Sequence, residues 1–358
     1  MSLFEKHPKK TSFILIFILV IGIDLLAAAL FTSTGIYKPQ HEIEKLYRIK
    51  HENFHHTLAS KITYPNARWG PNIYTINTNS LGFKDKKPRD ISLKKSNERI
   101  LIIGDSLTEG IGYEYRDTFA GIIDKKLKEK NIDVLNAGVS SYSPIIYLRK
   151  VQHLLDKGLE FNHLIVFLDI SDIEDESTQY MFDANNNVIY QPNAKYLNPG
   201  NKIKQFFDEK TILISTIRKL IQKEKKEKTI KLEQALNLNR GLWSIKENVY
   251  NDYAEKGLKQ ANKHMTMLAT LLKNKNIKLT LAVYPWPDQI FYKDLNSIQV
   301  SYWKKWAQKN NTAFINLFPI FINSTDPKEI IKKYYILGDV HWNKEGHKLV
   351  AKSVLPQL

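Results

Sequence analysis

"RILIIGDSLTEGIGY", residues Arg99–Tyr113, is an apolar run that stops at Gly-Asp-Ser and then turns polar. Ile100–Ile103 is short and wholly aliphatic, the pattern of a strand buried on both faces. Gly104 ends it, and a helical pattern resumes near Asp117. Ser106 therefore falls at the carboxyl end of a strand, where open α/β sheets collect their active-site groups. On these residues alone it is either a nucleophile or a turn serine.

Outward from this block, strand and helix patterns alternate. Strands are predicted at Ile100–Ile103, Ile132–Leu135, Leu164–Leu168, Leu279–Tyr284 and Ala313–Leu317. Helices are predicted between them at Asp117–Lys130, Ile145–Asp156, Ala254–Lys273 and Val300–Gln308. A last helix starts at Lys344, with Asn343 as its N-cap. Five buried strands separated by helices predict a parallel sheet covered on both faces. The expected architecture is a flavodoxin-like, three-layer α/β/α domain over residues 98–358. Residues 35–97 read as a stalk and a lead-in that packs on this domain, with a hairpin or tight loop at Ile76–Asp85.

A helical insertion at about 200–240 breaks the alternation. Its apolar residues Ile203, Phe206, Phe207, Leu213, Ile214, Ile217, Leu220 and Ile221 share one helical face. The insertion reads either as a cap on the domain edge or as an interfacial helix on an anionic membrane surface. The charge run Lys223–Lys228 reads as a solvated helix face.

The amino end carries a second strong signal. Phe13–Phe31 is apolar except for Gly22 and Asp24, long enough to cross a hydrocarbon core of about 30 Å. Lys6, Lys9 and Lys10 precede it, so residues 1–34 read as a cytoplasmic basic tip and a single-pass signal-anchor, with the rest of the chain on the outer side. A cleavable signal peptide is the alternative, since "LLAAALF" offers small residues for processing. Asp24 is either a tolerated polar residue or the mark of a helix–helix contact.

The 358-residue chain carries 53 Lys+Arg against 37 Asp+Glu, a net charge of +16. Such a balance suits an anionic membrane or an acidic polysaccharide. Nucleic acid is not the expected partner, because no nucleic-acid-binding signature accompanies the charge. Cysteine is absent, which excludes disulfides and thiol chemistry. No cofactor is expected. A metal on Asp339, His341 and His347 is not expected either, for want of a further ligand at matching spacing.

A hydrolytic serine needs a base within reach, an orienter for that base and donors for the oxyanion. "ILGDVHWNKEGH", Ile336–His347, supplies Asp339 and His341 in a loop before the last helix. In the order Ser106, Asp339, His341 the serine attacks, the imidazole takes its proton, and the carboxylate orients the imidazole. Asp169, Asp172, Glu174, Asp175 and Glu176 form an acidic run at a strand end. It reads as solvated loop, with Asp172 alternatively bonding the catalytic loops or substrate. Trp286, in "VYPWPDQ", either stacks on a sugar ring or packs against neighbouring helices.

"GDSLTEG" after a buried strand, with a late Asp/His pair and "WNKEGH", resembles the SGNH/GDSL hydrolase superfamily of serine esterases, lipases and carbohydrate O-acetyl esterases or transferases. The resemblance runs from Arg99 to the carboxyl end. It implies a flavodoxin-like fold, Ser106 as nucleophile, and oxyanion donors at Ser106 N–H, at Ser141 N–H and at Ser171. The family's glycine position falls on Ser141 and its asparagine on Ser171. Asp339-Val340-His341 is one residue shorter than the usual spacing and is similar to that of the membrane-associated polysaccharide O-acetyltransferases. The resemblance thus implies an ester or O-acylated glycan as substrate, and, for transfer, a separate membrane protein that delivers the acyl group. A non-catalytic subunit that binds glycan or a partner is the alternative of another class.

Overall fold

The computed structural model describes residues 7–34, 36, 44, 46–192, 206–218 and 231–358. The chain forms two compact units, one of Met1–Leu46 with Ala194–Ile230, the other of Tyr47–Asn193 with Lys231–Leu358.

In the smaller unit, helix α1 (Pro8–Ser33) has a mean hydropathy of 2.9 over its most apolar window and leaves most of its large apolar side chains exposed. Length and composition suffice to cross a bilayer. Two helical pieces, 206–210 and 213–218, are described in the same unit. Asp24 is buried against them, so it marks a contact and is no mere blemish in an apolar helix.

In the larger unit, twelve strands are present among the described residues. The hairpin β1–β2 (Arg48–His51, His55–Leu58) stands apart from the main sheet. The main sheet uses β3 (Thr63–Trp69), β4 (Asn72–Thr78), β5 (Lys84–Asp85), β6 (Glu98–Gly104), β7 (Ile132–Asn136) and β8 (His163–Leu168). A second hairpin pairs β9 (Tyr180–Phe182) with β10 (Val188–Tyr190), and the main sheet ends with β11 (Lys278–Val283) and β12 (Ala313–Asn316). The order across the sheet is β12-β11-β8-β6-β7-β5-β4-β3.

β7, β6, β8, β11 and β12 are parallel, as the alternating pattern predicts. Their order is flavodoxin-like, and it reverses direction at β6, which places the switch point at that strand's carboxyl end. Helices Phe119–Lys128 and Lys344–Val354 pack on one face. Helices Pro144–Asp156, Glu255–Lys273 and Ile298–Lys309 cover the other, where Trp306 Nε1 donates to Thr266 Oγ1 at 3.0 Å.

Two expectations change. The sheet has eight strands rather than five, because the stretch read as stalk and lead-in adds β5, β4 and β3 as antiparallel strands beside β7. The tight loop is there: Asn79 Oδ1 accepts from Leu81 N and Phe83 N, and Gly82 turns with φ +69 between β4 and β5. The insertion does not continue as one helix to residue 240. Leu232–Ala235 and Asn239–Ser244 are 3-10 turns of the larger unit. Ile203, Leu220, Ile221 and the Lys223–Lys228 run lie outside the described residues.

Candidate active site

β6 ends where the chain must pass another backbone. A Cβ on Gly104 would stand 2.2 Å from Thr108 Oγ1 and 2.7 Å from Phe167 O, so no larger residue fits there. The chain then makes a four-residue helical turn, Ser106–Glu109. Asp105 caps it by accepting from Leu107 N at 3.0 Å. Gly110 closes the turn in the left-handed region with φ +73. Ser106 is thus fixed at the carboxyl edge of the central strand.

From the loop before the last helix, His341 reaches this serine. His341 Nε2 lies 2.8 Å from Ser106 Oγ, and His341 Nδ1 lies 2.5 Å from Asp339 Oδ1. The same Asp339 oxygen accepts from His341 N at 3.0 Å, which locks the carboxylate beneath its own imidazole. Both Ser106 and His341 are buried. Burial works against a charged imidazole, but the hydrogen bond and charge of Asp339 outweigh it and hold His341 above its ordinary pKa. Burial likewise opposes the Asp339 charge, yet His341 and Trp69 keep it below the usual carboxylate range. An ionised Asp339 can only accept, so Nδ1 carries the proton and Nε2 is left to take one from Ser106.

Trp69, at the end of β3, is the site residue that sequence reading missed. Its Nε1 donates to Asp339 Oδ2 at 3.1 Å and its ring meets His341 edge-on, with centroids 4.9 Å apart. The alternation of "NIYTINT" in its hairpin partner β4 was the available signal.

Ser106 Oγ has a second neighbour, Asp105 Oδ2 at 3.0 Å. Asp105, Asp169 and Asp172 are buried with carboxylate oxygens within 4.8 Å of one another. The acidic run is therefore no solvated loop. Protein donors fill it: Ser171 N and Trp286 Nε1 on Asp169, Tyr147 OH and Asp169 N on Asp172. Asp172 Oδ1 has no hydrogen-bond partner. This trio has the donor type a hard cation would take, but all but one of its oxygens already serve protein donors. Burial, then mutual repulsion, pushes Asp105 and Asp172 above the carboxylate range.

Trp286 and Asp172 are accordingly internal. Trp286 packs its ring against Gly241 while bonding Asp169, and Asp172 bonds Tyr147, so neither offers a face to solvent. Ser171 is buried, with its N–H on Asp169 and no hydrogen bond from its hydroxyl to Ser106, Asp339 or His341. His347 lies outside the constellation, its Nδ1 accepting from Phe119 N at 3.2 Å.

Ser141 occupies the left-handed region with φ +62, the conformation a glycine adopts freely. Its loop is held from several sides. Glu109 Oε2 accepts from Ser140 N at 2.7 Å, His56 Nε2 meets Ser140 O at 2.7 Å, and Lys150 Nζ donates to Ala137 O at 3.0 Å. Glu109 is paired in turn with both terminal nitrogens of Arg48, at 3.0 and 3.1 Å. Since a carbonyl only accepts, His56 carries its proton on Nε2, and His55 Nδ1 donates to His56 Nδ1 at 2.7 Å.

No family model and no curated protein matches the chain. Solved structures similar to it include the psychrotrophic esterase EstA from Pseudoalteromonas sp., inhibited by monoethylphosphonate. That pair shares 14% identity over 73% of this chain and 96% of the other, with a TM-score of 0.40. TesA shares 12% over 73% and 98%, with a TM-score of 0.41. A catalytic mutant of an acetylxylan esterase from Geobacillus stearothermophilus shares 14% over 74% and 96%, at 0.40.

Proposed function

We propose that the chain is an SGNH/GDSL-type serine hydrolase that cleaves ester bonds through an acyl-enzyme on Ser106. The observation that carries this reading is the unbroken chain of contacts from Ser106 Oγ through His341 to Asp339. His341 Nε2 removes the serine proton as Oγ attacks the ester carbonyl. The tetrahedral oxyanion takes hydrogen bonds from Ser106 N–H and Ser141 N–H. His341 then protonates the leaving alcohol, and water, activated by the same nitrogen, releases the acid.

The finer reading is a membrane-anchored enzyme on the outer side, with α1 as the anchor, acting on O-acyl groups of surface glycans. The apolar length of α1, the lysines before its apolar span and the net positive charge support it. If a sugar hydroxyl replaces water in the second step, the same residues perform O-acetyl transfer. A separate membrane protein would then bring the acyl donor, since α1 is the one helix long and apolar enough to span among the described residues.

The test is labelling of the full chain in detergent with a fluorophosphonate probe, beside Ser106→Ala and His341→Ala. Labelling of the wild type alone supports an activated serine served by that histidine. A folded wild type that does not label refutes catalysis and favours the glycan-binding or assembly subunit.

A further inference from the structure

Asp24 lies within the apolar span of α1, yet it is not alone there. Its Oδ1 accepts from Ile212 N at 2.9 Å and from Leu213 N at 2.8 Å, and its Oδ2 accepts from Ile214 N at 2.9 Å. These are the N–H groups that a helix starting at 213 leaves without intrahelical partners. A carboxylate and an open helix start, each costly in lipid, thereby satisfy one another.

The two helical pieces beside Asp24 are separated by a break at 211–212. Arg218 bonds Asp208 at 2.9 Å. Along a straight helix their Cα atoms would be about 15 Å apart, slightly more than the two side chains and the bond can span, so the chain bends between them. The bend falls at Thr211–Ile212, the part that meets Asp24. Thr211 and Ser215 are buried, and both hydroxyls bond carbonyls of the same segment, Phe207 O for Thr211 and Thr211 O and Ile212 O for Ser215. Phe206, Leu213 and Ile217 are exposed large apolar side chains on these arms. Hydroxyls turned onto the backbone with apolar groups turned outward is the arrangement a hydrocarbon solvent demands.

Depth follows from α1. Phe13–Phe31 is about 28 Å long as a helix, which matches the hydrocarbon thickness and leaves little room to slide. Asp24 precedes Phe31 by seven residues, or about 10 Å. We propose that residues 206–218 form a re-entrant hairpin, its tip held by Asp24 about 10 Å inside the outer leaflet and its outward residues against lipid acyl chains. This rests on the anchoring role given to α1. Toward the mouth of the hairpin the Asp208–Arg218 pair nears the head-group region, and the exposed Lys210, next to the tip, extends its long side chain toward it.

The absence of cysteine makes the test clean. Leu213→Cys and, separately, Leu19→Cys are labelled with an environment-sensitive fluorophore in the full chain, in vesicles of phosphatidylethanolamine and phosphatidylglycerol. The vesicles carry spin-labelled lipids with the nitroxide at a shallow or a deep acyl position. The proposal expects both probes to be quenched by lipid nitroxides and shielded from aqueous iodide. Adding Asp24→Leu to the unlabelled Leu213→Cys chain should raise the reactivity of the introduced thiol toward a charged reagent by more than about tenfold, the loss of three charge-assisted hydrogen bonds. Fluorophosphonate labelling of Ser106 reports that the larger unit is intact. A lipid-quenched probe at position 19 with a water-exposed one at 213 overturns the hairpin while leaving the anchor standing. Water exposure at both positions overturns the anchor and the hairpin together. Unchanged thiol reactivity at position 213 when Asp24→Leu is added overturns the role given to Asp24.

Discussion

Trp69 Nε1 donates to Asp339 Oδ2 across 270 positions of sequence, tying the antiparallel end of the sheet to the loop that carries the candidate base. Asp339 has two oxygens to place. One faces His341, and without a donor on the other the carboxylate could rotate. Trp69→Phe keeps an aromatic edge near His341 but removes that donor. We expect kcat/KM for a p-nitrophenyl ester to fall about ten- to hundredfold, the worth of one hydrogen bond to a charged group, with KM unchanged. An unaltered kcat would show that Trp69 only packs.

The pH dependence separates the two partners of His341. The imidazole must be neutral to accept the serine proton, so activity rises with pH through the His341 pKa, which the Asp339 contact holds above the ordinary 6.5 or so. In Asp339→Asn the raising charge is lost and burial remains. The limb should move to lower pH while kcat drops by about 10⁴-fold, since the amide also disturbs the tautomer. A kcat/KM profile of both proteins on one ester checks this; a limb that stays in place would deny Asp339 its role.

The parallel core was legible because its central strands carry apolar runs buried on both faces, such as Leu164–Leu168, bounded by turn residues. Ser106 was legible because it sits where such a run stops, and Asp339 and His341 because they share the short loop before the last helix. β3 was not: it alternates buried and open positions, and Pro65 falls at the register shift between Tyr64 and Ala67, so no apolar run announces it. The acidic run after β8 looked solvated because its partners come from remote segments. Tyr147 serves Asp172, Arg240 serves Asp175, and His264 with Ser143 serves Glu176. Period and composition report faces, whereas such pairs are set by the tertiary fold alone.

Glu109 links the turn of Ser106 to the loop of Ser141 and has no exposed side-chain surface. Burial opposes its charge, but Arg48 and Lys84 hold its pKa below the ordinary glutamate value. Stability from this pairing is therefore complete above the unfolded value near 4.3 and is lost as pH falls through the lower folded value. Glu109→Gln strands the Arg48 charge and should cost about 3–5 kcal/mol, seen as a fall in Tm at neutral pH that shrinks on acidification. Arg48→Lys, which keeps the charge and loses the two-pronged geometry, should cost less. Equal losses in the two variants would mean that packing, not the ion pair, holds this corner.

Lys150 is the buried cation whose cost pH can switch off. Its Nζ donates to Ala137 O and to Tyr142 OH, and it lies 5.5, 5.0 and 4.8 Å from the ring centres of Phe54, Phe83 and Tyr142. Burial pulls its pKa down to about 7, against a partial restoring pull from Glu109. An unfolded lysine titrates near 10.4. Between those values the unfolded chain binds a proton that the folded chain does not, so stability rises as pH climbs from 7 toward 10. Lys150→Met removes this dependence, and the stability difference between variant and wild type should change by about 1.4 kcal/mol per pH unit across that window, in favour of the wild type at higher pH. Urea unfolding of both proteins at several pH values measures it. Parallel stability curves would mean that Lys150 keeps its charge when folded, held by the three rings and the two oxygens around it.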